Sequence, residues 1–221
     1  MMIAQQLLSD TIPALKTSDS IQKVLDRMAE FRVSHLPIVN HNLLLGIVSD
    51  EDLIEIPDYN SPVGDVTLSI TNGCVHQEQH VYDVIRLFAE KRLTLVAVVD
   101  EHKNYLGAIS INSVVEYIAN LTSVKEPGGI IVIEINNRDN SLAHISQIVE
   151  SNNAQILSSY ITSFPDSTRL EITLKVNRTD ISAIVASFLR YDYTVIATYN
   201  DLKSDAGSSD RFDQLMNYLS F

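Results

Sequence analysis

The chain has 221 residues, 45% of them hydrophobic, with a formal charge of −12 and a single cysteine. That is enough apolar material for one large or two modest domains with cores of their own, while the acidic balance argues against nucleic acid or an anionic membrane as partner, since both demand clustered Lys and Arg. The lone Cys74 excludes an internal disulfide framework and a multi-cysteine zinc site, and it reads as a small packed side chain. No apolar run approaches the roughly 18–20 residues of a membrane span, and MMIAQQLL has no basic stretch ahead of it to form a signal peptide, so a cytoplasmic location is expected.

Residues 12–15 read as an extended lead-in. Ile21, Val24, Leu25 and Met28 fall at i, i+3, i+4 and i+7, which places them on one helical face, and Asp19 with Gln22 has the spacing of a capping box at its start. Residues 36–39 and 43–48 are short apolar runs parted by Asn40, His41 and Asn42, the pattern of two buried strands joined tightly. Ser49 then opens a short helix through Ile54, and Pro57 stops it. The same β-α-β-β-α order follows a second time: a strand over 70–75, a helix over 81–91, strands over 96–99 and 105–110, and a helix over 113–121. It recurs because the sequence does. SIQKVLDRMAEFRVSHLPIV (20–39) returns as HVYDVIRLFAEKRLTLVAVV (80–99), and after one inserted residue LGIVSDEDLIE (45–55) returns as LGAISINSVVE (106–116). Each copy of this repeat of about sixty residues is too small to bury its apolar face alone, so the cleft between the copies is the expected place of function.

Beyond the linker Lys125-Glu126-Pro127-Gly128-Gly129 the pattern changes. Residues 130–135 form a strand, Leu142, Ile145, Ile148 and Val149 line a helix, and residues 155–162 form a second strand. A turn at Pro165-Asp166 leads into residues 169–176, where Leu170, Ile172, Leu174 and Val176 alternate with polar residues as in a half-buried strand. Asp180 is placed to cap a helix carrying Ile181, Ile184, Val185, Phe188 and Leu189, and residues 193–197 close a β-α-β-β-α-β, ferredoxin-like plan. Residues 203–210 have a flexible composition, and Phe212, Leu215, Met216 and Leu219 mark a final amphipathic helix too short to be stable without docking. The expected organisation is repeat 1 over 1–64, repeat 2 over 65–125, the ferredoxin-like domain over 129–200 and a linker with terminal helix over 201–221, a mixture of α/β and α+β.

Over residues 8–121, HLPIV followed by LGIVSDEDL resembles the paired CBS domains that bind adenine nucleotides in a Bateman module: a hydrophobic-Pro-hydrophobic-hydrophobic strand, then Gly-x-x-Ser/Thr-x-x-Asp. Residues 129–199 resemble an ACT domain, a small regulatory unit that often binds amino acids, and CBS followed by ACT resembles the acetoin-utilisation accessory proteins. The resemblance implies a non-catalytic regulator that senses an adenosine-containing ligand (AMP, ADP, ATP or S-adenosylmethionine), has no obligatory cofactor, and assembles as a homodimer with an unidentified regulated protein.

Ser49 and Asp52 follow Gly46 by three and six residues, at a strand exit and a helix start, where free backbone N–H groups and the helix dipole favour phosphate. In the family that serine faces phosphate or ribose, and the aspartate accepts from the ribose hydroxyls. Ser-x-x-Asp is equally an acceptable capping box with no ligand at all. The second copy keeps Gly107 and Ser110 but has Ser113 in place of Asp52 and Ala97 in place of Pro37, so one ligand per chain is expected rather than two. Arg32, His35 and Arg92 are the candidates to meet a phosphate, although Arg and His near a helix C-terminus are also ordinary dipole partners. So few cations favour AMP, ADP or S-adenosylmethionine over ATP. His76 and His80 have i, i+4 spacing but lie in a turn without further ligands, so no metal is expected, and no nucleophile–base motif is evident. In the ACT-like part, Asp139, Asn140 and Ser141 occupy the loop where ligand-binding relatives show Asp-x-x-Gly-Leu. Ser141 replaces the glycine, leaving amino-acid sensing and dimerisation as alternative roles for that domain. The opposing reading of the whole chain is a dimerising scaffold whose nucleotide site has decayed.

Overall fold

The computed structural model describes residues 2–9, 12–136, 141–165 and 167–200. Two compact units divide the chain, residues 1–118 and 119–221. In the first, β1 (Leu15–Lys16), α1 (Ile21–Phe31), β2 (His35–Asn40) and β3 (Leu43–Ser49) are followed by β4 (Cys74–His76), α2 (Val81–Lys91), β5 (Leu95–Val99), β6 (Tyr105–Ser110) and α3 (Ile111–Leu121), whose last residues fall past the division. Each copy builds a three-stranded sheet, β1-β2-β3 and β4-β5-β6, with its first pair parallel and its second antiparallel. The pairing shifts at Ile38/Val39 in one sheet and at Val98/Val99 in the other, so the sequence repeat extends to the bulge.

The apolar faces predicted from helical spacing are the buried ones: Ile21, Val24 and Met28 on α1, and Val81, Val84 and Phe88 on α2. The helix start differs from the expected capping box. Ser20 is the N-cap, its hydroxyl accepting from the Lys23 N–H, while buried Asp19 accepts from the Lys16 N–H and from Lys23 Nζ at 2.6 Å. The helix expected over 49–54 is a single 3-10 turn, Glu51–Leu53, and in the second copy α3 starts at Ile111, two residues earlier than expected.

The two copies exchange their lead-in segments. Residues 2–9 lie on the second copy: the Ala4 N–H donates to Gln79 O, the Val81 N–H to Met2 O and the Ser9 N–H to Ala108 O, and Ala4 is buried in the core that holds Val84, Phe88 and Ile109. Residues 59–70, which lead from the first copy into the second, return the exchange. The Ile21 N–H donates to Ser61 O and the Ile47 N–H to Ile70 O, and Val63 is buried among Leu15, Ile21 and Leu36. Each small core is thus completed by chain from the other copy, as the limited burial available to about sixty residues requires.

The second unit contains β7 (Gly129–Asn136), α4 (Leu142–Ser151), β8 (Ile156–Ser163), β9 (Arg169–Val176), α5 (Ser182–Arg190) and β10 (Thr194–Asn200). Its four-stranded antiparallel sheet runs β10-β7-β9-β8, the ferredoxin-like order expected from the β-α-β-β-α-β plan. Ile131, Ile133, Ile172, Leu174 and Val176 pack with Ile145, Ile148, Val149, Ile184 and Phe188 in one core. Asp180 accepts from the Ser182 N–H at the start of α5. The terminal helix expected around Phe212, Leu215, Met216 and Leu219 lies outside the described residues.

Candidate functional site

In the first unit a cavity of about 650 Å³ lies between the copies, lined by the starts of β2 and β5, the end of β3, the wall 69–72 and the end of α2. Its volume is within the ordinary range for small-molecule pockets. Of the residues singled out in the sequence, His35, Ser49 and Arg92 line it together. Ser34, Asp50, Glu51, Ser69, Thr71, Asn72, Lys91 and Thr94 also line it, and sequence reasoning did not name them. One available signal was overlooked: Ser34 and Thr94 are hydroxyl residues at the same position of the repeat, just before the strand.

Gly46 stands behind the wall. A Cβ there would lie 2.8 Å from Leu68 Cδ1 and 3.1 Å from Ile70 O, so its lack of a side chain lets residues 68–70 come against β3 and form the Ile47–Ile70 bridge. Gly107 serves the equivalent contact with residues 8–9, at a φ of +151° that other residues avoid. Arg32 and Arg92 are the left-handed C-caps of α1 and α2. Arg92 lines the cavity, whereas Arg32 is not among its lining residues.

Ser49 and Asp52 form the reciprocal cap. The Ser49 N–H donates to Asp52 Oδ2 at 2.9 Å, and the Asp52 N–H donates to Ser49 Oγ at 3.2 Å. Asp52 is not among the lining residues. The second copy closes the same corner with hydroxyls: the Ser113 N–H donates to Ser110 Oγ, and the two Oγ atoms are 2.9 Å apart. The cavity's charges are two carboxylates, Asp50 and Glu51, against two cations, Lys91 and Arg92. Burial pushes the His35 pKa down from 6.5 despite the nearby carboxylates of Asp50, Glu51 and Asp52.

Other candidates lie elsewhere. His80 is the N-cap of α2, its Nδ1 accepting from the Tyr82 N–H, while His76 ends β4. Burial pushes the Cys74 thiol up, away from the reactive thiolate. Ser141 caps α4, its hydroxyl accepting from the His144 N–H, while Asp139 and Asn140 lie outside the described residues. Among the described residues, no helix is long and apolar enough to cross a membrane.

A twofold sequence repeat whose copies exchange lead-in segments around a polar cleft defines a tandem two-repeat module. The chain belongs to the CBS domain family, whose model matches residues 4–59 and 63–120, and paired CBS domains are typically regulatory rather than catalytic. Among curated proteins, the chain is similar to the arabinose 5-phosphate isomerase KdsD of Francisella tularensis, 26% identical over 109 residues, which is 48% of this chain and 33% of the isomerase. It therefore spans about a third of the length of that relative. Among solved structures, a CBS domain pair/ACT domain protein of Thermotoga maritima is 24% identical, covering 53% of this chain and 96% of that one, with a TM-score of 0.49. CBSX2 in complex with AMP is 24% identical over 57% of this chain and 100% of its own, with a TM-score of 0.47. A protein of Vibrio cholerae assigned to acetoin utilization is 19% identical over 57% of this chain and 96% of its own, with a TM-score of 0.49.

Proposed function

We propose that the CBS pair senses an adenosine-containing ligand in the cavity at His35, Ser49 and Arg92, and that the ferredoxin-like unit is an ACT-type domain that assembles the chain as a homodimer or relays occupancy to a regulated protein. The observation that supports this reading most is the meeting, in one cavity, of Ser49 from the first copy's Gly-x-x-Ser-x-x-Asp signature with His35 and, from the second copy, the cation Arg92. Arg92 and Lys91 supply donors for phosphate oxygens, and the hydroxyls of Ser34, Ser49, Thr71 and Thr94 supply neutral partners for ribose and base. Two carboxylates lining the same cavity offset the two cations, which favours AMP, ADP or S-adenosylmethionine over ATP. The Ser110–Ser113 corner has no carboxylate, so one site per chain is expected. Titration calorimetry with AMP, ADP, ATP, S-adenosylmethionine and adenosine tests the reading. The expected result is one site per chain, with Arg92→Ala weakening AMP by about tenfold or more and adenosine little. No heat and no thermal stabilisation with any of the five would overturn it.

The scaffold reading has one observation in its favour, namely that Asp52 Oδ2 is already held by the Ser49 N–H as a cap. The amino-acid reading would use the ACT-like unit, where Ser141 is likewise held as a cap.

A further inference from the structure

His35 opens β2, and its counterpart in the second repeat is Leu95, which is fully buried. The His35 Nδ1 lies 3.2 Å from the Thr94 backbone nitrogen and 3.0 Å from Thr94 Oγ1, and the Ser34 N–H donates to that Oγ1 at 3.0 Å. A backbone N–H only donates, so Nδ1 must present its lone pair and the ring proton resides on Nε2. The Thr94 hydroxyl, accepting from Ser34, directs its own proton to the same Nδ1. This three-residue knot ties the start of β2 in one repeat to the start of β5 in the other, and all three residues line the cavity.

We propose that His35 is a proton-sensitive latch between the two CBS repeats, closed while its imidazole is neutral and released when the ring takes a second proton. Protonation of Nδ1 sets one N–H against the other, so the bond from the Thr94 amide is lost, and the contact with the Thr94 hydroxyl persists only if that hydroxyl turns its proton away and accepts instead. The charged groups around the ring oppose one another. Asp50, Glu51 and Asp52, following β3, favour the imidazolium. Lys91 and Arg92, at the end of α2, line the same cavity and carry the opposite sign, while the wall 69–72 contributes only Ser69, Ile70, Thr71 and Asn72. Burial decides the balance, holding the pKa below 6.5. The folded chain then binds fewer protons than the unfolded one, so this contribution to stability is complete above pH 6.5 and is lost as pH falls toward the folded value. The latch is a property of the fold alone. Its consequence for ligand, that a phosphate facing His35 favours the protonated ring and competes with the latch, rests on the nucleotide reading above.

Two measurements on the full chain test it, without and with AMP. Long-range 1H–15N correlation of the histidine rings is expected to show His35 protonated on Nε2 alone at pH 8, and a proton on Nδ1 there would overturn the latch. His35→Asn places a carbonyl oxygen near the Nδ1 position that accepts but does not titrate. Its melting temperature is expected to match the parent's at pH 8, with the parent falling progressively behind it below pH 6.5. Parallel loss in the two proteins would overturn the proposal. His35→Leu, which copies Leu95, removes the acceptor and is expected to melt below both at pH 8. If AMP leaves every curve unchanged while the tautomer and the melting difference stand, the nucleotide reading fails and the latch does not.

Discussion

Replacing Asp52 with alanine and with asparagine separates the two roles its position offers. The carboxylate holds the Ser49 N–H at 2.9 Å across a single 3-10 turn. Losing a cap of this kind costs about 1 kcal/mol, or about 4 °C in melting temperature for a unit of this size. If the same carboxylate also accepts from ribose hydroxyls, removing it costs a further ~1.5–3 kcal/mol of binding, about 10- to 150-fold in Kd. Asp52→Ala is therefore expected to melt lower without ligand and to bind AMP more weakly. Asp52→Asn keeps an amide oxygen that accepts from Ser49, so it should melt close to the parent and still lose affinity. Melting curves without ligand and calorimetry with AMP read the two effects independently. If Asp52→Asn binds AMP with the parent's Kd, Asp52 is a cap and the ribose assignment is refuted.

Gly107→Val is expected to destabilise the first unit by about 1–3 kcal/mol through its backbone conformation alone, because the residue has φ +151° and a Cβ there would also stand 2.9 Å from Leu8 Cδ2; thermal melting checks this, and an unchanged midpoint would count against the lead-in exchange at β6. Asp19→Asn should melt below the parent at pH 7, since burial raises the Asp19 pKa but the hydrogen bond from Lys23 and that from the Lys16 N–H outweigh it and hold the pKa below 3.8. A carboxylate held low in the fold stabilises it above its ordinary pKa, so the gap should close as pH falls below 3.8 in a melting series, and a gap constant down to pH 2 would refute this. Light scattering at micromolar concentration should report twice the chain mass of 24.7 kDa, and a monomer with and without AMP would refute the homodimer.

The repeat, the helical faces and the order of strands were legible in the sequence because each rests on spacing within a single element. Ile21, Val24 and Met28 point inward wherever the helix packs, and Leu36 to Ile38 are buried as their composition requires, whereas Leu43 and Leu45 of the following run, expected to be buried, are exposed. The Gly46, Ser49 and Asp52 constellation was legible for the same reason, since a cap is local. Local spacing is weaker at the ends of elements. The competition between Asp19 and Ser20 for the cap of α1 was settled by Lys23, whose ammonium and backbone N–H take one partner each.

What only the tertiary structure decided are the meetings between residues about sixty positions apart, for which no periodicity carries a signal. Residues 2–9 complete the second copy and residues 59–70 the first, because a repeat this short leaves its core open until chain from the other copy closes it. The same closure brings His35 against Thr94 and sets Ser49 and Arg92 around one cavity, while leaving Arg32 off its walls. Sequence determined which side chains are available, and the packing of one copy on the other determined which of them share a site.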